Sequence, residues 1–125
     1  MAKHIDLGRQ GESLALKYLQ ENGFTILEQN WRHLKAEVDL ITVSDGMLVL
    51  VEVKTRTNDY FGMPEESINR NKQRMMCDAA NAYIELKELK YEVRFDVISI
   101  ISDGKEVRLN HIKDAFYPFS SELDG

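Results

Sequence analysis

The sequence predicts an α/β fold of the α+β, mixed-sheet kind, with a central sheet flanked by helices, and three observations carry that expectation. A helical apolar stripe opens the chain, two strand-like runs follow on either side of Asp45-Gly46, and the second of them, Met47-Leu48-Val49-Leu50-Val51, is apolar on both faces. A strand of that kind needs cover above and below, and helices supply it. At 125 residues one compact core is expected, with no second domain. The core is expected over about residues 8–117, with a disordered tail at 118–125.

The first helix is predicted from about Gly8 to Asn22. Leu7, Leu14, Ala15, Tyr18 and Leu19 fall on one helical stripe, and Gly23 stands where a helix stops. Phe24 to Gln29 reads as a short strand, and Asn30 to Lys35 as a polar, irregular stretch in which Trp31 packs. Glu37–Val43 and Met47–Arg56 are antiparallel neighbours, because an Asp-Gly pair between strand patterns signals a hairpin. A loop with Gly62 and Pro64 follows. Asn69 then caps a second helix running to about Leu89, its stripe made of Met76, Ala79, Ala80, Tyr83 and Leu86 with Met75 and Ile84 alongside. Tyr91–Ile101 is a strand, Ser102-Asp103-Gly104 a turn and Lys105–His111 a last strand or edge, before a short helical turn near Phe116.

No run approaches the ~20 apolar residues of a membrane span, so no membrane association is expected. Residues 1 to 7 carry Lys3, His4 and Asp6 rather than an apolar export signal. The single cysteine, Cys77, sits among apolar helix positions, as suits a buried thiol in a reducing cytoplasm. The net charge of -5 opposes a simple nucleic-acid-binding reading, but the acid is unevenly spread. Gln29 to Arg74 hold seven basic and seven acidic residues, whereas residues 75–125 hold six against ten.

The chemistry follows from the hairpin register. If Asp45 and Gly46 form a two-residue turn, Ser44 pairs with Met47, Asp39 faces Glu52 and Glu37 faces Lys54. Alternation then places all four side chains on one face. A three-residue loop would instead set Asp39 against Val51. Like charges on opposed strand residues destabilise a sheet unless something compensates, and a divalent cation does so. Magnesium needs only one or two carboxylates besides water and phosphate oxygens, and Asp39 and Glu52 supply that pair, with manganese as a substitute. Lys54 is placed to orient an attacking water or to neutralise charge on a phosphoryl group. Glu12, on the shoulder of the first helix, offers a further ligand or a water-holder. The competing reading is an ordinary cross-strand ion-pair ladder on a solvated face, and the apolar run around Glu52 and Lys54 argues against it.

Glu12, Asp39 and Glu52-Val53-Lys54 resemble the acidic–acidic–x–lysine core of restriction-endonuclease-like nucleases, including archaeal Holliday junction resolvases. A longer set is similar throughout to the bacterial YraN-type family: Gly11-Glu12, Asn30-Trp31-Arg32, Glu37-Val38-Asp39-Leu40-Ile41, Val51-Glu52-Val53-Lys54-Thr55-Arg56, Phe61-Gly62, Lys72, Arg94-Phe95-Asp96 and Ala115-Phe116. The likeness covers about residues 8–117. It implies a restriction-endonuclease-like fold and a divalent-metal-dependent endonuclease acting on DNA, with branched DNA such as a Holliday junction as a candidate substrate. The roles carry over to Glu12, Asp39, Glu52 and Lys54, with the Val53 backbone carbonyl as a further metal ligand. Lys72 matches a family position as a substrate-orienting cation. Ala36 departs from the family, which has glycine just before the Glu-x-Asp motif. A homodimer is the corresponding expectation, since resolvases act on two strands as two-fold dimers.

Arg56, Arg70 and Arg74 join Lys72 as candidate phosphate contacts, the latter three near a helix N-terminus; a solvated basic helix face is the bland alternative. Glu37 is read as a supporting group that pairs with Lys54 or Arg32, and Asp96 as structural. His4, His33 and His111 lack ligand spacing, so a zinc or histidine-base role is not expected. Two other functional classes stand beside the nuclease: a non-catalytic nucleic-acid- or partner-binding module, and a nuclease subunit inactive without its partner.

Overall fold

The computed structural model describes residues 3–57, 68–103 and 105–117, with side chains from Arg9 onward. The expected loop at Gly62 and Pro64, the Phe61-Gly62 motif and the expected disorder of residues 118–125 lie outside the described residues. The elements run α1 (Lys3–Glu21), β1 (Thr25–His33), β2 (Ala36–Ser44), β3 (Met47–Arg56), α2 (Arg70–Lys87), β4 (Glu92–Ser102) and β5 (Val107–Phe116). The five strands form one sheet in sequence order. Only β3 and β4 are parallel, because α2 carries the chain back to the start of the sheet between them. The fold is α+β, with a mixed sheet consistent with a restriction-endonuclease-like core.

Local chemistry explains the turns. Asp45 and Gly46 hold φ 50 and 74, the two positive angles of a type I′ hairpin, and the ladder runs from Ser44↔Met47 to Leu40↔Val51 as the two-residue turn requires. Gly23, at φ 86, ends α1, and Phe24 N–H returns to the Leu19 carbonyl at 2.9 Å to close a Schellman cap. The Asn69 side chain accepts the Lys72 N–H at 2.9 Å, capping α2 as expected.

The central strand splits the core. On one face Ala15 and Leu19 of α1 pack against Leu40, Val49, Val51, Ile98 and Ile100; on the other Met76, Ala79, Ala80 and Tyr83 of α2 pack against Val38, Ile41, Leu48, Leu50 and Phe95. Cys77 is buried on the second side. At Gly11 the backbone of α1 comes so close to β3 that an added Cβ would collide with Thr55 Oγ1.

Three expectations need correction. Asn30–His33 continues β1, because polar residues are tolerated on an edge strand, and a bulge near Leu27 hides the alternation. The expected helical turn near Phe116 is the end of β5: Phe95 and Val97, two positions apart on β4, pair with Phe116 and Ile112, four positions apart on β5. The resulting bulge around Asp114, φ 53, spaces Ile112, Ala115 and Phe116 as a helix would. Leu14 and Leu86, assigned to apolar stripes, are 41% and 60% exposed.

Candidate functional site

The site forms where β2 and β3 part. Their backbone ladder stops at Leu40↔Val51, one residue short of the anticipated Asp39–Glu52 pair. Asp39 turns its carboxylate onto the next strand, where Oδ2 accepts the Val53 N–H at 2.7 Å. Glu52, the next residue back on β3, is 4% exposed. The two acids therefore adjoin through a side-chain-to-backbone bond rather than by direct cross-strand pairing.

Glu52 is held from the α2 side. Lys72 Nζ lies 3.1 Å from Glu52 Oε2 and also donates to the Glu37 carbonyl at 3.3 Å, while Lys54 Nζ stands further off at 4.0 Å. Among the described residues, buried Glu52 Oε1 has no hydrogen-bond donor. Burial first, then a hydrogen bond to Asp39 and its negative charge, push the Glu52 carboxyl up to about 7 against the pull of Lys72. Two carboxyls can bond to each other only with a proton between them, and once Glu52 ionises the Lys72 ammonium is its nearest counter-charge among the described residues.

Glu12 approaches the cluster from α1. Burial raises its carboxyl above the ordinary 4.5, as do the charges of Asp39 and Glu37, and a hydrogen bond to the Asn30 side chain opposes them. Asn30 belongs to this site although no role was assigned to it beforehand. Its left-handed backbone, φ 50, is tolerated by asparagine, and its place in the Asn30-Trp31-Arg32 motif was the signal available in the sequence. Glu37 pairs with Arg32 at 3.4 Å, the second of its two anticipated partners.

The structure thus brings together Asp39, Glu52, Lys54 and Lys72, with Glu37 at the rim and Glu12 within electrostatic reach of Asp39 and Glu37 but not gathered onto Glu52. Arg70 is exposed at the start of α2 and Arg74 half-buried one turn later, about 200° around the helix from Lys72; Arg56 ends β3, half-buried. Among the described residues no group of three or more His, Cys, Asp or Glu side chains is placed to hold a metal ion. Magnesium does not require one, since it keeps several waters, and the donor set of Asp39 with the unpartnered Glu52 oxygen fits such an ion.

Sequence reasoning missed a second buried network. Asp96, fully buried, accepts from Arg94 Nε at 2.9 Å and Nη2 at 2.8 Å, bonds His111 Nε2 at 2.7 Å and accepts the Asp114 N–H at 3.2 Å. The other histidine nitrogen meets the Tyr18 hydroxyl at 3.0 Å. The network joins α1 to β4 and β5, the structural role expected of Asp96.

The pattern of residues in this fold matches the profile of the uncharacterised protein family UPF0102 over residues 11–100. The chain belongs to the UPF0102 family. A UPF0102 protein of Flavobacterium psychrophilum is 43% identical, covering 95% of this chain and all of the relative. One from Bacteroides thetaiotaomicron is 43% identical over 94% of this chain and 98% of its own, and one from Christiangramia forsetii is 43% identical over 95% and 100%. The family match spans Glu12, Asp39, Glu52, Lys54 and Lys72. Among the described residues of this UPF0102 chain no helix is long and apolar enough to cross a membrane.

Proposed function

We propose that this UPF0102 chain is a divalent-metal-dependent endonuclease that hydrolyses phosphodiester bonds in DNA. The observation that carries the reading is the buried Glu52 carboxylate, whose Oε1 has no donor among the described residues, beside Asp39 and two ammonium groups. Even paired with Lys72, a carboxylate buried with one oxygen unsatisfied is costly, and a fold tolerates that cost where the charge has work to do.

Asp39, Glu52 and the Val53 carbonyl would hold Mg²⁺, or Mn²⁺ in its place, with Glu12 as a further ligand or water-holder. When bound, the ion supplies positive charge that polarises the phosphate. Lys54 orients the attacking water or neutralises charge developing on the phosphoryl oxygens. Lys72 keeps Glu52 aimed at the centre by bridging it to the Glu37 carbonyl. Arg56, Arg70 and Arg74 are assigned to flanking phosphates. A homodimer in the cytoplasm accompanies this reading.

The test is cleavage of a four-way junction, a flap and a linear duplex with and without magnesium. Asp39→Asn is expected to lose both cleavage and metal-induced thermal stabilisation, and Lys54→Met to lose cleavage alone. Cleavage at the unmodified rate by both variants would defeat the assignment. The net charge of -5 favours a second reading, a non-catalytic nucleic-acid- or partner-binding module, which DNA binding without turnover across several metals would support.

A further inference from the structure

The turn between β1 and β2 is built in a way that the fold does not require. His33 pairs with Ala36, so Leu34 and Lys35 are the two turn residues, and Leu34 holds φ 55. That conformation strains a side chain larger than asparagine, and hairpins normally put glycine, asparagine or aspartate there. The leucine gains no burial in exchange, for it is 92% exposed. Strain retained with no packing benefit points to a function for the side chain.

The surroundings say what that function is. From Gln29 to Ala36 the chain carries Arg32, His33 and Lys35 and no acidic residue. Among the described residues Arg32 is held by an exposed ion pair with Glu37, readily exchanged for a phosphate. His33 stacks on Trp31 with ring planes 7° apart. Behind the tip a cavity of about 520 Å³ opens toward α2, lined by His33, Leu34, Lys35, Ala36, Met75 and Asp78, and the same strand runs directly on to Glu37 and Asp39.

We infer that this turn is a wedge and pocket for an unstacked nucleotide of branched DNA. Leu34 enters the break in the base stack, as apolar side chains do in bent or opened duplexes. Arg32 and Lys35 meet the flanking phosphates, and the cavity takes the released base against His33 and Met75. Asp78 repels phosphate but accepts a hydrogen bond from an exocyclic amine, so the cavity takes a base rather than the backbone. A branch point supplies bases that are already unpaired, where unstacking costs least. The inference rests on the DNA reading above and narrows its substrate to DNA with a break in stacking.

The experiment measures binding in EDTA, where no metal-dependent cleavage intervenes, to a four-way junction carrying 2-aminopurine at the branch and to a continuous duplex of the same label and length. The full chain is expected to bind the junction at least tenfold more tightly and to change the 2-aminopurine fluorescence there. Leu34→Gly relieves the strained backbone, so it should melt no lower than the parent while losing most of the tenfold preference and the fluorescence change. Equal binding of both DNAs by the parent chain, or unchanged preference and fluorescence in Leu34→Gly, would overturn the inference. Junction binding through Leu34 without cleavage in magnesium would remove the nuclease reading and uphold this one; cleavage of junction and duplex alike, unaffected by Leu34→Gly, would remove this one alone.

Discussion

Replacing Glu52 by glutamine should make the metal-free protein more stable at pH 8, and the structure sets the size. Its carboxyl is raised from 4.5 to about 7 by burial and by Asp39, against the attraction of Lys72. In the unfolded chain the group ionises near 4.5, so between pH 4.5 and about 7 the folded state holds a proton that the unfolded state has released. Stability therefore falls as pH rises through that window, by up to about 1.4 kcal/mol per pH unit, or about 3 kcal/mol in all. This is a large part of the ~5–15 kcal/mol available to a small domain. Glutamine resembles the protonated acid, so Glu52→Gln should match the parent at pH 5, exceed it by about 3 kcal/mol at pH 8 and lose most of the pH dependence. Urea denaturation in EDTA at half-unit steps from pH 5 to 8 measures the difference. A parent protein equally stable at both ends, or a variant no more stable at pH 8, would refute the account of Glu52 as a buried, under-compensated charge.

Other perturbations test neighbouring parts of the structure. Saturation with magnesium at about 100 times its Kd should add about 2.7 kcal/mol, with a larger thermal shift at pH 8 than at pH 6 because binding must displace the Glu52 proton; Asp39→Asn should abolish the shift. Lys72→Met should destabilise the metal-free chain by about 1–2 kcal/mol at pH 8, below the value for a fully buried pair because Lys72 is partly exposed. Near pH 5, where Glu52 is neutral, that loss should nearly vanish in the same urea experiment. Gly11→Ala should cost about 1–3 kcal/mol from the collision with Thr55, despite the better helix propensity of alanine, and Thr55→Ala in the same chain should recover most of it by chemical denaturation. Asp96→Asn should cost about 3–5 kcal/mol by leaving Arg94 and His111 without their buried partner. Asp96 is held below its ordinary 3.8 by His111, Arg94 and the Asp114 N–H, which together outweigh burial. Its stabilisation is thus present above that value and lost as acid takes the pH below it, which an acid-unfolding curve would show.

What could be read in advance was whatever depends on local pattern. Asp45-Gly46 specified both a turn and, through it, the register of the β2–β3 ladder. The doubly apolar Met47–Val51 run required helices on both faces, and Asn69 marked the start of α2. What could not be read depends on partners distant in sequence. The β1 segment Asn30–His33 is the exception: its partners, Ala36 to Val38, lie close in sequence, and it reads as a loop because an edge strand need not alternate cleanly. The Asp96–His111–Tyr18 chain joins three elements that no spacing connects. The candidate site lies between these cases: alternation brought Asp39, Glu52 and Lys54 to one neighbourhood, but the parting of the strands after Leu40 and the reach of Lys72 from α2 became visible only in three dimensions.

That parting explains how a sheet with so apolar a centre accommodates several charges. Direct Asp39–Glu52 pairing would set two carboxylates about 5 Å apart at their Cβ atoms, with neither satisfied by the backbone. By ending the ladder at Leu40↔Val51, the fold lets Asp39 accept the Val53 N–H, while Glu52 carries the heavier burden of burial. The two acids are thereby made unequal, one fixed by the main chain and one adjustable by proton, lysine or cation. Lys72 belongs to α2, whose register is fixed by Asn69 and by Met76, Ala79 and Ala80 against the sheet, so the ammonium that reaches Glu52 is positioned by the hydrophobic core itself. Movement of α2 should therefore change the protonation of Glu52 before it disturbs Asp39, and the pH dependence of stability is the measurement in which that coupling first appears.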